Sequence, residues 1–226
     1  MNQGQKTALL LGGTGLVGSM CLNMLNEMPF YHKIIALSRK KIFPPQLKTQ
    51  NIITDFNNYE ELRPHLQAQH VFCALGTTMA KAGSRKAFMH IDYEIPLRVA
   101  ELAKQNGAEK FILVSAIGAN KNSVFFYNRV KGLLEEALEK IGFASLIILQ
   151  PSLLLGERSE RRPAEYLAQK VFAPLTSCFL GKLNVYKPIE ATEVAAAMIA
   201  LAQKNISGCR RYTYSEIVSA ARELRP

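Results

Sequence analysis

The chain has 226 residues, 48% hydrophobic and 20% charged, with a net charge of +10. That is enough for one sizeable core and too regular for disorder, and no apolar run reaches the roughly 20 residues of a spanning helix. The basic residues are spread, at Arg39 to Lys41, at Lys81, Arg85 and Lys86, and at Arg158, Arg161 and Arg162, without interleaved aromatics, so a phosphorylated small ligand is favoured and nucleic acid is not expected.

In chain order, KTALLL at the N-terminus reads as a strand running into glycines, and not as a secretory signal. A helix from about Leu16 to Met28 follows, then KIIALS, a loop with Pro44 and Pro45, NIITDF, and a short helix at YEELRPHLQ. HVFCALG leads through a loop into a helix around Tyr93 to Gln105. KFILVSAIG is followed by a helix in SVFFYNRVKGLLEEALEKIG, and SLIILQPSLLLG reads as a sixth strand. Strands that are apolar throughout are buried on both faces, so the β-α alternation predicts an α/β, Rossmann-like doubly wound parallel sheet in a single domain spanning residues 1–226. The last third is less regular. Its helical stretches PAEYLAQKVF and ATEVAAAMIALAQ are expected to form a small C-terminal cap, with residues of about 155–190 covering the substrate, and the apolar run at 171–181 reads as a lid or dimer patch.

Cys21, Cys73, Cys178 and Cys209 form no CxxC pair, which predicts buried, reduced thiols in a cytoplasmic protein. His32, His65, His70 and His90 are scattered without carboxylate or thiol partners at ligand spacing, so no metal site is expected.

The spacing Gly12-x-x-Gly15-x-x-Gly18 sits between a strand and a helix. There the first glycine permits a tight turn, the second admits a pyrophosphate to the backbone, and the third lets helix and strand pack closely. Gly12, Thr14, Gly15, Leu16, Val17 and Gly18 are the candidate contacts, aided by the positive end of the helix dipole. An acidic residue ending the second strand would hold the ribose hydroxyls of NAD; here Ser38, Arg39 and Lys40 stand there and suit a 2′-phosphate, favouring NADP(H) over NAD(H). Asp55, ending the third strand, is placed either to accept from the adenine amino group or to cap the next helix.

Tyr127 and Lys131 lie four apart and share a helix face, where an ammonium stabilises a phenolate and tunes the tyrosine for proton exchange with a carbonyl or alcohol. Ser115 ends the fifth strand, at the edge where parallel sheets bind ligands, and is placed to hydrogen-bond the same oxygen. Asp92 reads as a helix-capping or orienting group, Gly132 as a point of close packing, and Phe125 and Phe126 as core or interface.

With these motifs in this order, GGTGLVG, VSAIGA, YNRVK and LQPSLLLGE, the chain resembles the short-chain dehydrogenase/reductase superfamily in its atypical extended branch. FCALGTTMAKAG, SAIGANKNSVFFYNRVKG and QPSLLLGERSERRPAE are more narrowly similar to the Tat-interacting-protein group of NADPH-binding oxidoreductases. The resemblance implies that Ser115, Tyr127 and Lys131 are catalytic and that Lys131 also holds the nicotinamide ribose. It implies that Leu75 and Gly76 line the cofactor, that Pro151, Leu153 and Leu154 flank the nicotinamide, and that Arg162 lies near the phosphates. One departure is Gln150-Pro151-Ser152, where many relatives have Arg-Pro-Gly, which removes a carried-over substrate contact.

The leading expectation is an NADP(H)-dependent oxidoreductase, reducing a small carbonyl compound. Two alternatives stand beside it: an NADPH-binding regulatory or sensor protein, and a nucleotide-sugar epimerase or dehydratase. Against the last, only 75 residues follow Pro151. A small-molecule substrate is expected, and a homodimer or a protein partner is compatible with the sequence.

Overall fold

The computed structural model describes residues 5–156 and 181–224. Its elements are β1 (Lys6–Leu11), α1 (Leu16–Glu27), β2 (Tyr31–Ser38), β3 (Thr49–Ile53), α2 (Tyr59–Leu62), β4 (His70–Cys73), α3 (Met79–Ala82), α4 (Arg85–Met89), α5 (Ile95–Gln105), β5 (Lys110–Val114), α6 (Phe126–Ile141), β6 (Ser145–Leu149), β7 (Leu154–Leu155), β8 (Ile189–Glu190), α7 (Ala191–Gln203), β9 (Gly208–Tyr212) and α8 (Tyr214–Leu224).

Seven strands form one parallel sheet in the order β3-β2-β1-β4-β5-β6-β9, with register that pairs Leu9 with Ile35 on one side and Val71 on the other. The order turns around between β1 and β4, and this switch point opens a crevice beyond the carboxyl ends of the strands. The alternation within each strand divides the core in two. Ala8, Leu10, Phe72, Ile112 and Ile147 face α1, α7 and α8. Leu9, Leu11, Val71, Leu113 and Ile148 face α5 and α6.

The last third differs from its expected form. ATEVAAAMIALAQ is not a cap: α7 buries ten residues, nearly every side chain in it, and packs against the sheet beside α1 and α8. Its alanines let it lie close, which its all-round apolarity foreshadows. GCRRY, left without an assignment at the sequence level, is the edge strand β9. It escaped notice because four of its five residues are exposed, so it lacks the apolar run that marked the others. The sixth strand ends at Leu149, and after Pro151 the separate β7 pairs with β8 as a two-stranded ribbon. The expected lid at 171–181 and the helix in PAEYLAQKVF fall in 157–180, outside the described residues apart from position 181.

A third difference positions the site. The helix expected from Tyr93 begins at Arg85: α4 and α5 are joined without a break by a π-type turn, His90–Glu94. The wider turn carries Asp92 inward, where it is fully buried. Such turns are rare in helices and recur at functional sites.

Candidate functional site

The glycine loop has the close contacts that its spacing requires. Gly12 adopts φ +85°, and a Cβ there would lie 2.6 Å from the Ala74 carbonyl oxygen at the end of β4. At Gly18 a Cβ would fall on the Gly12 carbonyl oxygen. Gly15 is different: its N–H donates to Gly12 O at 2.9 Å, and a Cβ there would meet only that oxygen, at 3.3 Å. Thr14 and Gly15 are exposed, Leu16 is half-buried, and Val17 and Gly18 are buried under the loop. No side chain caps α1 and no acid stands in its first turn, so the amides that a helix leaves unpaired at its start have no capping side chain to satisfy them. That geometry fits a dinucleotide pyrophosphate.

Beyond the second strand lies a cavity of about 540 Å³, lined among others by Arg39, Ile53, Asp55, Asn58, Glu61 and His65. Arg39 and Lys40 are exposed and make no ion pair with a described residue. Ser38 is occupied: its hydroxyl donates to Lys40 O at 2.7 Å and accepts from Asn51 Nδ2 at 2.7 Å. It shapes the basic turn rather than offering a free hydroxyl to a ligand. Asp55 lines the cavity while accepting from the Asn57 N–H at 2.9 Å and from Asn57 Nδ2 at 2.8 Å. The helix that follows is capped by Asn58, which accepts from the Glu61 N–H, so capping is not the role of Asp55.

The chemical end is built on α6. Gly132 lets the helix approach the preceding loop: a Cβ would collide with the backbone of Asn120 and Lys121. Asn128 donates from Nδ2 to Gly118 O at 3.0 Å, and its carbonyl accepts from the Asn120 N–H at 3.0 Å. The loop is thereby strapped to the first turns of the helix, which holds Tyr127 in place. Tyr127 is 39% exposed and packs edge-on to Phe88 at 5.8 Å. Phe126 stacks on Phe88 and carries the Arg85 and Arg129 guanidinium groups over its ring, whereas Phe125 is exposed and belongs to no core cluster.

Lys131 is 3% exposed, with its Nζ 2.8 Å from Asp92 Oδ1 and 5.9 Å from the centre of the Tyr127 ring. Asp92 accepts from the Thr77 N–H at 2.8 Å through its other oxygen. Burial alone draws the Lys131 ammonium down. The charge of Asp92, then that of Tyr127, outweighs it and holds the group above the ordinary lysine range. Asp92 is thus no helix cap, and it is a site residue that the sequence reading missed. The only signal was an acid inside the apolar-faced HIDYEIP stretch. Gly76 closes this corner: a Cβ there would lie 3.3 Å from Asp92 Oδ1 and 3.5 Å from Lys131 Nζ. Leu75 is half-buried against the α5–α6 side of the core.

Ser115 stands at the carboxyl end of β5, as expected, and donates from Oγ to Glu135 Oε1 at 2.5 Å. Glu135 is buried and accepts from Gln150 Nε2 at 2.9 and 3.1 Å and from Arg211 Nε at 2.8 Å. Its environment is therefore three donors, one of them cationic. Gln150 serves the carboxylate with an amide, and a guanidinium arrives from Arg211 on the edge strand β9. Pro151 is buried and accepts from the Ile117 N–H at 2.9 Å, Leu153 O accepts from the Ile189 N–H at 2.9 Å, and Leu154 begins β7. Just beyond, Gly156 lies against Leu16, which brings this segment back to the glycine loop. Arg162 lies outside the described residues. Cys21 and Cys73 are buried, but Cys209 is exposed and donates to Glu139, contrary to the expectation of buried thiols throughout. Among the described residues no cluster could hold a metal ion and no helix is long and apolar enough to cross a membrane.

A sequence profile of the NAD dependent epimerase/dehydratase family matches residues 8–208. Protein HTATIP2 of Rattus norvegicus is 36% identical over 174 residues, covering 75% of this chain and 72% of that protein. A protein named FMP52, mitochondrial, of Candida albicans is 36% identical over 208 residues, covering 89% and 90%. Among solved structures, the UDP-glucose 4-epimerase of Thermotoga maritima with UDP-glucose superposes with a TM-score of 0.70 at 16% identity, covering 96% of this chain and 82% of that one. The Bordetella bronchiseptica enzyme WbmG in complex with NAD gives 0.71 at 12% identity, with 99% and 78% covered. These likenesses establish the fold.

Proposed function

The chain belongs to the NAD dependent epimerase/dehydratase family, and we propose that within it the protein is an NADP(H)-dependent oxidoreductase that reduces a small carbonyl compound. The observation that carries this reading is the half-exposed side chain of Tyr127 with the buried, charged Lys131 over its ring. The glycine loop, the uncapped start of α1 and the cavity beside Arg39 fit the pyrophosphate and the adenosine 2′-phosphate of the cofactor, with Gly76 and the Pro151 to Leu154 segment left for its nicotinamide end. Bound there, the dinucleotide supplies hydride to the carbonyl carbon.

Tyr127 donates its phenolic proton to the carbonyl oxygen as charge develops on it, and the alcohol leaves with both hydrogens. The phenolate left behind is stabilised by the Lys131 ammonium, and the protein then regains a proton from solvent through the exposed face of Tyr127. Asp92 holds Lys131 charged in a buried place, at the cost of part of its pull on the phenol. Ser115 has its one proton committed to Glu135, so toward the site it offers lone pairs. It orients Tyr127 or the product hydroxyl by accepting a hydrogen bond, unless the bond to Glu135 breaks.

The same geometry favours one other reading. Lys131 is neutralised by Asp92 and Ser115 is engaged by Glu135, so both helpers of Tyr127 are already satisfied within the protein. An NADPH-binding regulatory protein with little turnover would look like this. One experiment separates the two: NADPH consumption over a panel of aldehydes and ketones, beside calorimetric NADPH affinity. Turnover that Tyr127→Phe removes, with affinity unchanged, supports the reductase; tight binding with no turnover on any compound supports the regulator.

A further inference from the structure

The loop joining β2 to β3 is tied down at both ends and still turns two apolar side chains into solvent. Ile42 folds inward, its N–H donating to Asn51 Oδ1 at 2.8 Å and its side chain packing on the core over Gly13. Gln46 donates from Nε2 to Asn23 Oδ1 on α1, and its carbonyl accepts from the Thr49 N–H at 3.1 Å. Lys48 donates from its N–H to Asn26 Oδ1 at 3.2 Å and from Nζ to Met28 O at 2.9 Å. Between these anchors Phe43 is 85% exposed and Leu47 fully so. A loop that buries Ile42 and secures Gln46 and Lys48 holds the other two outward as a built feature.

The charge along this stretch of chain has one sign. Residues 28–54 contain no aspartate or glutamate and carry Lys33, Arg39, Lys40, Lys41 and Lys48. Lys48 is spent on the Met28 carbonyl and Arg39 lines the cavity, which leaves Lys40 and Lys41 exposed beside Phe43. The nearest acids in the sequence flank the stretch: Glu27 at the end of α1, and Asp55, engaged by Asn57. An apolar tip with a cationic collar matches an anionic bilayer surface, where apolar side chains reach the acyl boundary and ammonium groups stay among the phosphates. A second copy of the same loop fits poorly, because it would bring the cations face to face.

We propose that the β2–β3 loop docks the protein on anionic membrane surfaces, seating Phe43 and Leu47 below the headgroups with Lys40 and Lys41 at phosphate level. The arrangement is peripheral, and it leaves the glycine loop and the cavity at Arg39 to the cofactor.

The test uses the full chain and sedimentation with vesicles of phosphatidylcholine, with and without phosphatidylserine. Wild type should pellet with the phosphatidylserine vesicles, less so as salt is raised. Phe43→Ser/Leu47→Ser should weaken that binding about tenfold or more, with melting temperature and NADPH affinity unchanged. Lys41→Glu should weaken it and flatten its salt dependence. Absence of vesicle binding by wild type, or equal binding to neutral vesicles, overturns the proposal. So does a double variant that pellets like wild type, because then another surface docks. Self-association in sedimentation velocity that the double variant abolishes would make the tip a subunit contact, and would equally overturn it.

Discussion

The two ends of the cleft hold their charges in opposite ways. At the adenosine end Arg39 stands exposed, without an ion-pair partner among the described residues, and the first turn of α1 has no capping side chain. At the chemical end the buried charges of the described residues are paired inside the protein: Lys131 with Asp92, and Glu135 with Arg211, Gln150 and Ser115. A surface that receives an anion keeps its donors free, so binding satisfies them without breaking anything first. A surface that must hold one proton at one place is fixed by buried partners, since a loose side chain there would cost orientation.

The largest expected effects test whether the glycine loop is both scaffold and receptor. Gly18→Val should leave little folded protein, because even its Cβ collides with the Gly12 carbonyl; expression and circular dichroism measure this. Gly15→Val meets only the Gly12 carbonyl oxygen, at 3.3 Å, which a shift of a few tenths of an ångström relieves, so it should fold and still lose NADPH binding by calorimetry. A Gly15→Val protein that binds NADPH normally would reduce the loop to a structural turn.

Next in size is the buried pair. Lys131→Met leaves the Asp92 carboxylate buried without its partner, which should cost about 3–5 kcal/mol and lower the melting temperature by roughly 10 °C. Lys131→Met/Asp92→Asn should recover most of that loss. If the single variant melts like wild type, the chemical end is not held by this ion pair.

Tyr127→Phe removes one oxygen from a half-exposed ring, so stability and NADPH affinity should survive while turnover on any accepted carbonyl falls about 10²-fold. Turnover equal to wild type would make the constellation a cofactor cradle only. At the other end, Arg39→Ala should erase a preference for NADPH over NADH of about 1–3 kcal/mol, read from paired titrations. Equal affinities in the wild-type protein would remove the role given to the basic turn.

The smallest effect separates Ser115 from a free donor. Because its hydroxyl already donates to Glu135, Ser115→Ala should lower turnover less than about tenfold, well under the loss on removing a preorganised oxyanion donor. A loss as large as that of Tyr127→Phe would show that Ser115 releases Glu135 and donates to the substrate.

Much of this was legible in the chain because it is local. Six apolar runs alternating with helical patterns marked the parallel sheet, and three glycines at fixed spacing marked the loop, since strand burial and tight turns are written in neighbouring residues. Tyr127 and Lys131 were legible as a pair because helical spacing alone puts them on one face. What lacked a local signature was missed or misplaced: β9, an edge strand with a polar face, went unassigned, and α7, recognised as a helix, was assigned to a cap, because its even apolarity says that it is buried but not against what.

By itself, then, the sequence determined the fold class and the order of the first six strands with their helices, and it singled out the candidate reactive side chains. The tertiary structure decided their partners. Asp92 reaches Lys131 across 39 positions only because a π-type turn swings it inward, and Arg211 reaches Glu135 across 76 only because β9 closes the sheet beside β6. Electrostatic pairing depends on distance in space, which chain spacing does not encode beyond a few helical turns, so which charges are spent and which remain open to a ligand emerges only when the strands are in order.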